Sequence, residues 1–393
     1  MATATRPTTA PARYMQGVAV PAEAVDPAAF FKGTRRKTQL EQQFSYTGQP
    51  QQTVELRKSD ILSGILIRFS GSAVINIGTG TVTSTARWPY DFIKAAKFTA
   101  NGAANLINVS GLKLKIRDMM KRTDLNDRGV SQTVAGTART QGTLARASES
   151  WGVGSNSTLA SGTYPVELEW FVPVAEDEVD LAGAVFLATS TSDLTLGLDL
   201  ESLSNLFVLT GNGTAALTGN FQVISTKFSI PIDQGHIVVP DLSVFHSMIQ
   251  SRSTAIQNGE NEVRIIGQGA GKALLRAFYQ VWNGAGAAAA PLAMTTTNFG
   301  LQAWRYGNNE TPDAFIDGTH MRAAMERYYN DDLGAIWGVG VHEFASENSF
   351  RDVVDMGTTS DLRIVTNIQS GVALASPAIE YVTETVFNAG QAN

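Results

Sequence analysis

A glycine-rich turn ending in lysine, Gly267-Gln268-Gly269-Ala270-Gly271-Lys272, follows the apolar run Val263 to Ile266 and holds the ingredients of a phosphate cradle. Glycine backbone can wrap a phosphate and a lysine can neutralise it. A P-loop also needs a glycine five residues before its Gly-Lys pair and Ser or Thr after it. Those places hold Ile266 and Ala273. The dinucleotide fingerprint fails too, because its third glycine falls on Lys272. The expectation is a hairpin or a bulge. Asp124-Leu125-Asn126-Asp127-Arg128-Gly129 imitates the start of a calcium loop, yet Arg128 stands where a ligand belongs and position twelve is Ala135. The four histidines, His236, His246, His320 and His342, are scattered with no pair at metal-ligand spacing. His246 reads as a satisfied structural histidine beside an apolar helical face. No Gly-x-Ser-x-Gly elbow presents a serine nucleophile. Glu176, Asp177, Glu178 and Asp180 could supply paired carboxylates, but a solvated acidic turn is the better reading. No cofactor and no metal is expected, and the chain does not read as an enzyme.

One cluster survives this screen. Phe30 and Phe31 stand beside Lys32, Arg35, Arg36 and Lys37. Two aromatics next to four cations could anchor at a lipid interface and neutralise acidic headgroups. The same charges could meet nucleic acid without reading its sequence, or the segment could be a linker whose phenylalanines pack under the first β domain. Net charge sharpens the asymmetry. Residues 1–37 carry six basic groups against Glu23 and Asp26, or +4, so the remainder of a chain of net −6 carries −10. A basic arm on an acidic body suggests an anionic partner at one end.

The elements that would position these residues are mostly strands. At 393 residues the chain can hold two domains with buried cores. Its 17% charged content is low beside the roughly 25% of typical globular chains, which suits a subunit whose flanks neighbours cover. There is no cysteine, so disulfides, thiolate metal sites and Cys nucleophiles are excluded. Nothing approaches an uninterrupted membrane span, and residues 1–25 lack the layout of a signal peptide. Residues 1–29 read as an arm. Beyond it short strand patterns recur: Ile65, Ile67 and Phe69; Leu112 to Arg117; Leu194 to Leu200; Phe221 to Ile230; Val263 to Ile266; Ala277 to Trp282; Trp337 to Phe344; Leu362 to Ile368; and Ile379 to Phe387. Helices are expected over Asp241 to Arg252, from Leu242, Phe245, Met248 and Ile249, and over Thr319 to Asn330, from Met321, Ala324, Met325 and Tyr328. Residues 118–162 and 283–300 read as long excursions. A break near Pro231 to Pro240 divides two halves that show no internal sequence repeat.

The run Val166 to Val185, VELEWFVPVAEDEVDLAGAV, alternates Val166, Leu168, Trp170 and Val172 with Glu167, Glu169 and Phe171, a strand with one buried face that Pro173 ends. This stretch resembles, without a gap, a segment of the major coat protein of tectivirus-type phages: an aromatic-Val-Pro-Leu-Ala, a few polar residues, then Asp-Leu-x-Gly-Ala-Val. Pro231-Ile232-Asp233-Gln234-Gly235-His236-Ile237, with Pro240 and Asp241-Leu242-Ser243, resembles that family's inter-domain passage. The family also includes adenovirus hexon.

The resemblance implies an all-β fold of two consecutive eight-stranded jelly rolls, with a few short helices and long surface loops. The implied divisions are a basic arm (1–37), a first jelly roll (38–231), a second (232–387) and a tail (388–393). It implies a structural role: homotrimers forming pseudo-hexagonal tiles of an icosahedral virion shell, assembled in the host cytoplasm. The implied partners are neighbouring trimers, penton and minor capsid proteins, and an internal lipid membrane met through the arm, with no specific nucleic-acid recognition. The two excursions would be outward towers, one per jelly roll. Two rival readings remain at this level. A tailed-phage capsid fold should show a long spine helix, and a β-sandwich protein that binds glycans, acts as an enzyme or serves as a spike or accessory virion protein would need an exposed aromatic and carboxylate site.

Overall fold

The computed structural model describes residues 33–100, 103–121, 150–151, 156–176, 181–186, 193–230, 232–233, 236–237, 242–265, 271–329, 333–345, 353–357 and 361–388. Sixteen of its strands fall into two sets of eight. The first set is β1 (Arg36–Tyr46), β2 (Gln51–Glu55), β3 (Ile61–Asn76), β4 (Ile93–Ala100), β5 (Ala103–Val109), β6 (Gly162–Val172), β7 (Leu194–Leu200) and β8 (Thr214–Phe228). The second is β9 (Val244–Ser253), β10 (Gly259–Arg264), β11 (Lys272–Asn283), β12 (Phe299–Arg305), β13 (Asp313–Phe315), β14 (Val339–Glu343), β15 (Arg363–Ile368) and β16 (Ala378–Asn388).

Each set forms two facing sheets in the same order. In the first half β1-β8-β3-β6 opposes β2-β7-β4-β5; in the second β9-β16-β11-β14 opposes β10-β15-β12-β13. Counted within its own half, each is 1-8-3-6 over 2-7-4-5, the eight-stranded double Greek key of a jelly roll. A helix follows strand five in both: α1 (Gly111–Lys121) in the first half and α2 (Gly318–Tyr329) in the second. The duplication that the amino acids conceal is explicit in the topology.

The alternation of the sequence builds these sandwiches. In β7 Leu194, Leu196, Leu198 and Leu200 are buried while Thr195, Gly197 and Asp199 are partly exposed. In β6 Val166, Leu168, Trp170 and Val172 point inward, and the strand stops before Pro173. The first core centres on aromatics, with Phe92 meeting Tyr46 edge-on at 4.9 Å and Phe69 at 5.1 Å between centroids, an arrangement that ring quadrupoles favour. Trp304, Tyr279 and His342 serve the second core. The two halves share one continuous sheet, because β5 runs parallel beside β9 with Met248 opposite Ile107 and Ile249 opposite Asn108.

Several expectations need correction. Leu112 to Arg117 is helical, as part of α1, and Lys113, Lys115 and Arg117 are buried together with the leucines. Asp241 to Arg252 contains no helix among its described residues; from Val244 it is strand β9. Both faces of β9 are covered, so it lacks the simple alternation of a half-exposed strand. The strand β1 opens at Arg36, so Arg36 and Lys37 lie within it rather than before it. The helix expected over Thr319 to Asn330 is found as α2, and at twelve residues it is the longest among the described residues. The excursion at 283–300 is tied down: the Gly284 amide donates to the Ala375 carbonyl at 2.6 Å and the Asn283 side chain to that of Ala373 at 2.8 Å. Most of 118–162, including the calcium-like sequence, lies outside the described residues, as do Ile266 to Ala270.

Candidate functional site

Among the described residues, the densest cluster of charged side chains lies at the seam between the halves. Helix α1 is placed there from its first residue. The Leu112 amide donates to the Asp91 carboxylate at 3.2 Å, supplying an acceptor for a helix N-terminus. Only glycine fits at position 111, because a Cβ would stand 2.1 Å from the Tyr90 carbonyl oxygen. Trp170 donates its indole N–H to that same carbonyl at 3.1 Å.

From this anchor Lys113, Arg117 and Lys121 recur every fourth residue and so share one face of α1. On the other side of the seam Glu380 and Glu384 stand on one face of β16. Lys113 lies 3.6 Å from Glu380 and hydrogen-bonds Gln280; Arg117 lies 2.9 Å from Glu384; Lys121 pairs with Glu176. Arg276 on β11 ties the centre together, reaching Glu384 at 2.7 Å, Glu343 at 2.8 Å and Glu176 at 3.4 Å. Arg87 bridges Asp91 and Glu380, both at 2.7 Å, and its guanidinium stacks 4.1 Å over Trp282. Five cations thus meet five carboxylates. His246 completes the set, with Nδ1 2.8 Å from the Pro173 carbonyl and Nε2 2.9 Å from Glu384.

Burial raises the stakes at each of these groups. It pushes the Lys113 ammonium down to about 8, against the opposing pull of Glu380 and Asp91. Burial alone would raise Glu384, but Arg117 and Arg276 hold it well below the usual carboxylate range. Glu380 is lowered in the same way: burial works against it, and Lys113 and Arg87 prevail. Burial works against the Arg276 charge as well, yet Glu384 and Glu343 raise it well above its ordinary value. Tyr329, buried beside Glu343, is pushed well up. Paired charges of this kind hold two bodies in one relative placement. They offer no open carboxylate or free nucleophile to a substrate.

The sequence-level candidates fare differently. Glu176 is buried and ion-paired, which corrects the solvated-turn expectation; Asp177, Glu178 and Asp180 lie outside the described residues. His246 is a satisfied structural histidine as expected, though on a strand. Lys272 begins β11 and sits 5.5 Å over the Phe387 ring, so the glycine turn leads into a strand. Of the basic cluster, Phe30, Phe31 and Lys32 lie outside the described residues. Arg35, Arg36 and Lys37 are exposed at the entry to β1. The Arg35 amide donates there to the Ser229 hydroxyl at 2.8 Å, and Lys37 pairs with Asp60 at 3.2 Å. Sequence reasoning missed the seam, although the spacing of Lys113, Arg117 and Lys121, with Met119 and Met120 between the last two, was a readable helical signal.

The motif around Gly183 also gains a physical role. Gly183 adopts a φ of +86°, and a Cβ there would lie 2.4 Å from the Cβ of His246. This glycine lets the loop after β6 seat directly on the second half. Leu181 and Ala184 are buried beside it with Ile61 and Phe228.

Residues 30–244 match the family described as P3 major capsid protein N-terminal, a match over more than half of the chain. The chain belongs to this family. No curated protein matches the sequence. Among solved structures, the fold resembles the major capsid protein of Sulfolobus Turreted Icosahedral Virus at 13% identity, covering 90% of this chain and 97% of that one with a TM-score of 0.63. It also resembles VP54 of PBCV-1 at 10% identity, with 91% and 95% coverage and a TM-score of 0.52. The major capsid protein P2 of bacteriophage PM2 follows at 10% identity, with 90% and 98% coverage and a TM-score of 0.50. At such identities these structures speak to the fold, which is the double jelly roll.

Proposed function

We propose that this protein is the major capsid protein of an icosahedral virion, where its role is architectural. The observation that carries this reading is the twice-repeated 1-8-3-6 over 2-7-4-5 sandwich, fused through one sheet, in a chain of the P3 major capsid protein family. The two domains are taken as 38–231 and 232–387, with the first sandwich opening two residues earlier at Arg36. Two similar blocks per chain and three chains per ring give six blocks, hence a pseudo-hexagonal tile able to pave flat facets. Other trimers, penton and minor capsid proteins are the partners this role requires, and assembly in the host cytoplasm follows from the same reading.

The basic entry to β1 supports contact between the tile and an internal membrane. Arg35, Arg36 and Lys37 are exposed where the chain emerges from the arm, each able to contribute up to about 1 kcal/mol near an anionic surface. An architectural role asks no catalysis of the chain, and the buried, paired charges of the seam suit a fastening. Light scattering on the purified chain should give about three times the 42.0 kDa subunit mass. A monomer at micromolar concentration would refute the tile.

A further inference from the structure

Lys113, Gln280 and Glu380 meet inside the seam in an arrangement that ion pairing alone does not use. Lys113 on α1 and Gln280 on β11 are fully enclosed, and Glu380 on β16 is 4% exposed. The Lys113 Nζ hydrogen-bonds the side-chain carbonyl of Gln280, which sets an amine nitrogen beside a carboxamide carbon. The Gln280 Nε2 donates to the Trp337 carbonyl at 2.6 Å, and this holds the amide oxygen towards Lys113. Glu380 Oε2 stands 3.6 Å from Lys113 Nζ, a buried oxygen that no donor among the described residues satisfies at hydrogen-bond distance. Arg87 holds the other Glu380 oxygen at 2.7 Å. The buried ring of Trp282, with its centroid 6.0 Å from Nζ, shields one side of the cluster from water.

An ammonium has no lone pair to give, and the surroundings of Lys113 remove that obstacle. Burial pushes it down to about 8, over the opposing pull of Glu380 and Asp91 and with a push from Arg87. At neutral pH about one such amine in ten is uncharged, against about one in a few thousand for an exposed lysine. A desolvated lysine is an activated nucleophile. Amides resist amines in water, but a nucleophile fixed against its target gains an effective concentration of roughly 10⁵–10⁸ M.

We propose that Lys113 and Gln280 join in a spontaneous isopeptide bond that ties the first jelly roll to the second, with Glu380 moving the proton. The Nζ lone pair of the uncharged amine attacks Cδ of Gln280, and the carbonyl electrons move onto Oε1. Glu380 Oε2 takes one proton from Nζ and delivers it to Nε2. The Cδ–Nε2 bond then breaks, its electrons leave on the nitrogen as ammonia, and the carbonyl re-forms. An amine and a primary carboxamide become one secondary amide and ammonia, with no oxidant or other reactant. The bond exchanges a buried titrating amine for a neutral amide and links positions 167 apart in sequence. Freshly folded chains keep the titrating amine and linked chains lose it. The reaction needs a single chain, so it is independent of the capsid reading.

Intact mass spectrometry of the full-length protein, denatured after incubation in its folded state, reads the link as the loss of one ammonia, about 17 Da. The loss should grow over days, faster at about pH 9 than at about pH 7. Peptide mapping should place it in a branched peptide that joins Lys113 to Gln280. Lys113→Met and Gln280→Leu should each keep their full mass. Glu380→Gln retains both reacting groups and should slow the link roughly a hundredfold or more. If any variant fails to fold, the wild-type map alone decides. A folded wild type that keeps its full mass overturns the proposal. So does the same loss confined to linear peptides, which would mark a succinimide at an Asn-Gly pair such as Asn258-Gly259. A folded Glu380→Gln chain that links at the wild-type rate would overturn the proton relay.

Discussion

Replacing Glu384 with glutamine tests whether the ionic seam fixes the two halves against each other. Its Oε1 accepts from Arg117 at 2.9 and 3.2 Å and lies 2.9 Å from His246 Nε2, while its Oε2 accepts from Arg276 at 2.7 Å. Glutamine keeps the shape but offers one oxygen and one NH2. Whichever way it turns, the NH2 faces a guanidinium donor, and two buried arginines lose their shared counter-charge. Breaking a buried ion pair by removing one partner costs about 3–5 kcal/mol, a third or more of the stability of many domains. Urea unfolding of Glu384→Gln, followed by circular dichroism and tryptophan fluorescence at fixed protein concentration, should show that loss. Adding Arg117→Met to Glu384→Gln should cost less than the sum of the single changes, because the orphaned cation is then gone. If Glu384→Gln falls within about 0.5 kcal/mol of wild type, as a surface change would, the seam is not the fastener argued here.

Other consequences are open to measurement. Lys113 titrates near 8 in the folded chain, below its ordinary value. The unfolded chain therefore holds more protons as pH rises from about 8 towards 10, and stability should climb over that window, by at most about 3 kcal/mol. In Lys113→Met that rise should vanish; an unchanged pH profile would show that Lys113 is not its source. Gly183→Ala must carry a Cβ into His246 at a positive φ and should lose roughly 1–3 kcal/mol, read by the same unfolding assay; a neutral result would contradict the close seating. Replacing Lys32, Arg35, Arg36 and Lys37 with glutamine should leave the trimer folded but weaken its binding to anionic liposomes, most at low salt. Equal binding by the variant in a flotation assay would remove the arm from membrane contact.

How much of this was legible beforehand depended on whether one or both faces of an element are covered. The strands with one buried face, such as Val166 to Val172 and Leu194 to Leu200, announce themselves by alternation and were found where expected. The elements at the seam misled because both sides are covered. In Leu112 to Arg117 the alternating lysines mimic the solvent face of a strand, yet they are buried on a helix whose charged side meets another jelly roll. In Val244 to Ser253 apolar residues face both the second core and the first half, and their spacing imitates a helix. Glu176 could not be read as buried, because its partners Lys121 and Arg276 come from elements distant in sequence. The repeat was invisible because jelly-roll order constrains which strands pair and leaves residue identities free.

The joint within the chain takes its character from how it is formed. Within the chain, the linker already holds the halves together, so the joint need not supply the entropy of association. It can use buried ion pairs, which contribute little net stability but penalise every misplacement with an unpaired charge. That is the behaviour wanted of a hinge that must be rigid before assembly starts. A joint between copies must recover the cost of bringing separate molecules together, and burial of apolar surface is the term able to do so. Leu40, Ile224, Leu66 and Phe171 occupy the place corresponding to Gln250, Val382, Phe278 and Val341, while Glu384 and Arg276 correspond, by a bulge that β11 and β3 share, to Thr226 and Gly64. At the joint Glu384 and Arg276 pair with each other and with groups of the first half, whereas Thr226 and Gly64 in the equivalent places carry no charge.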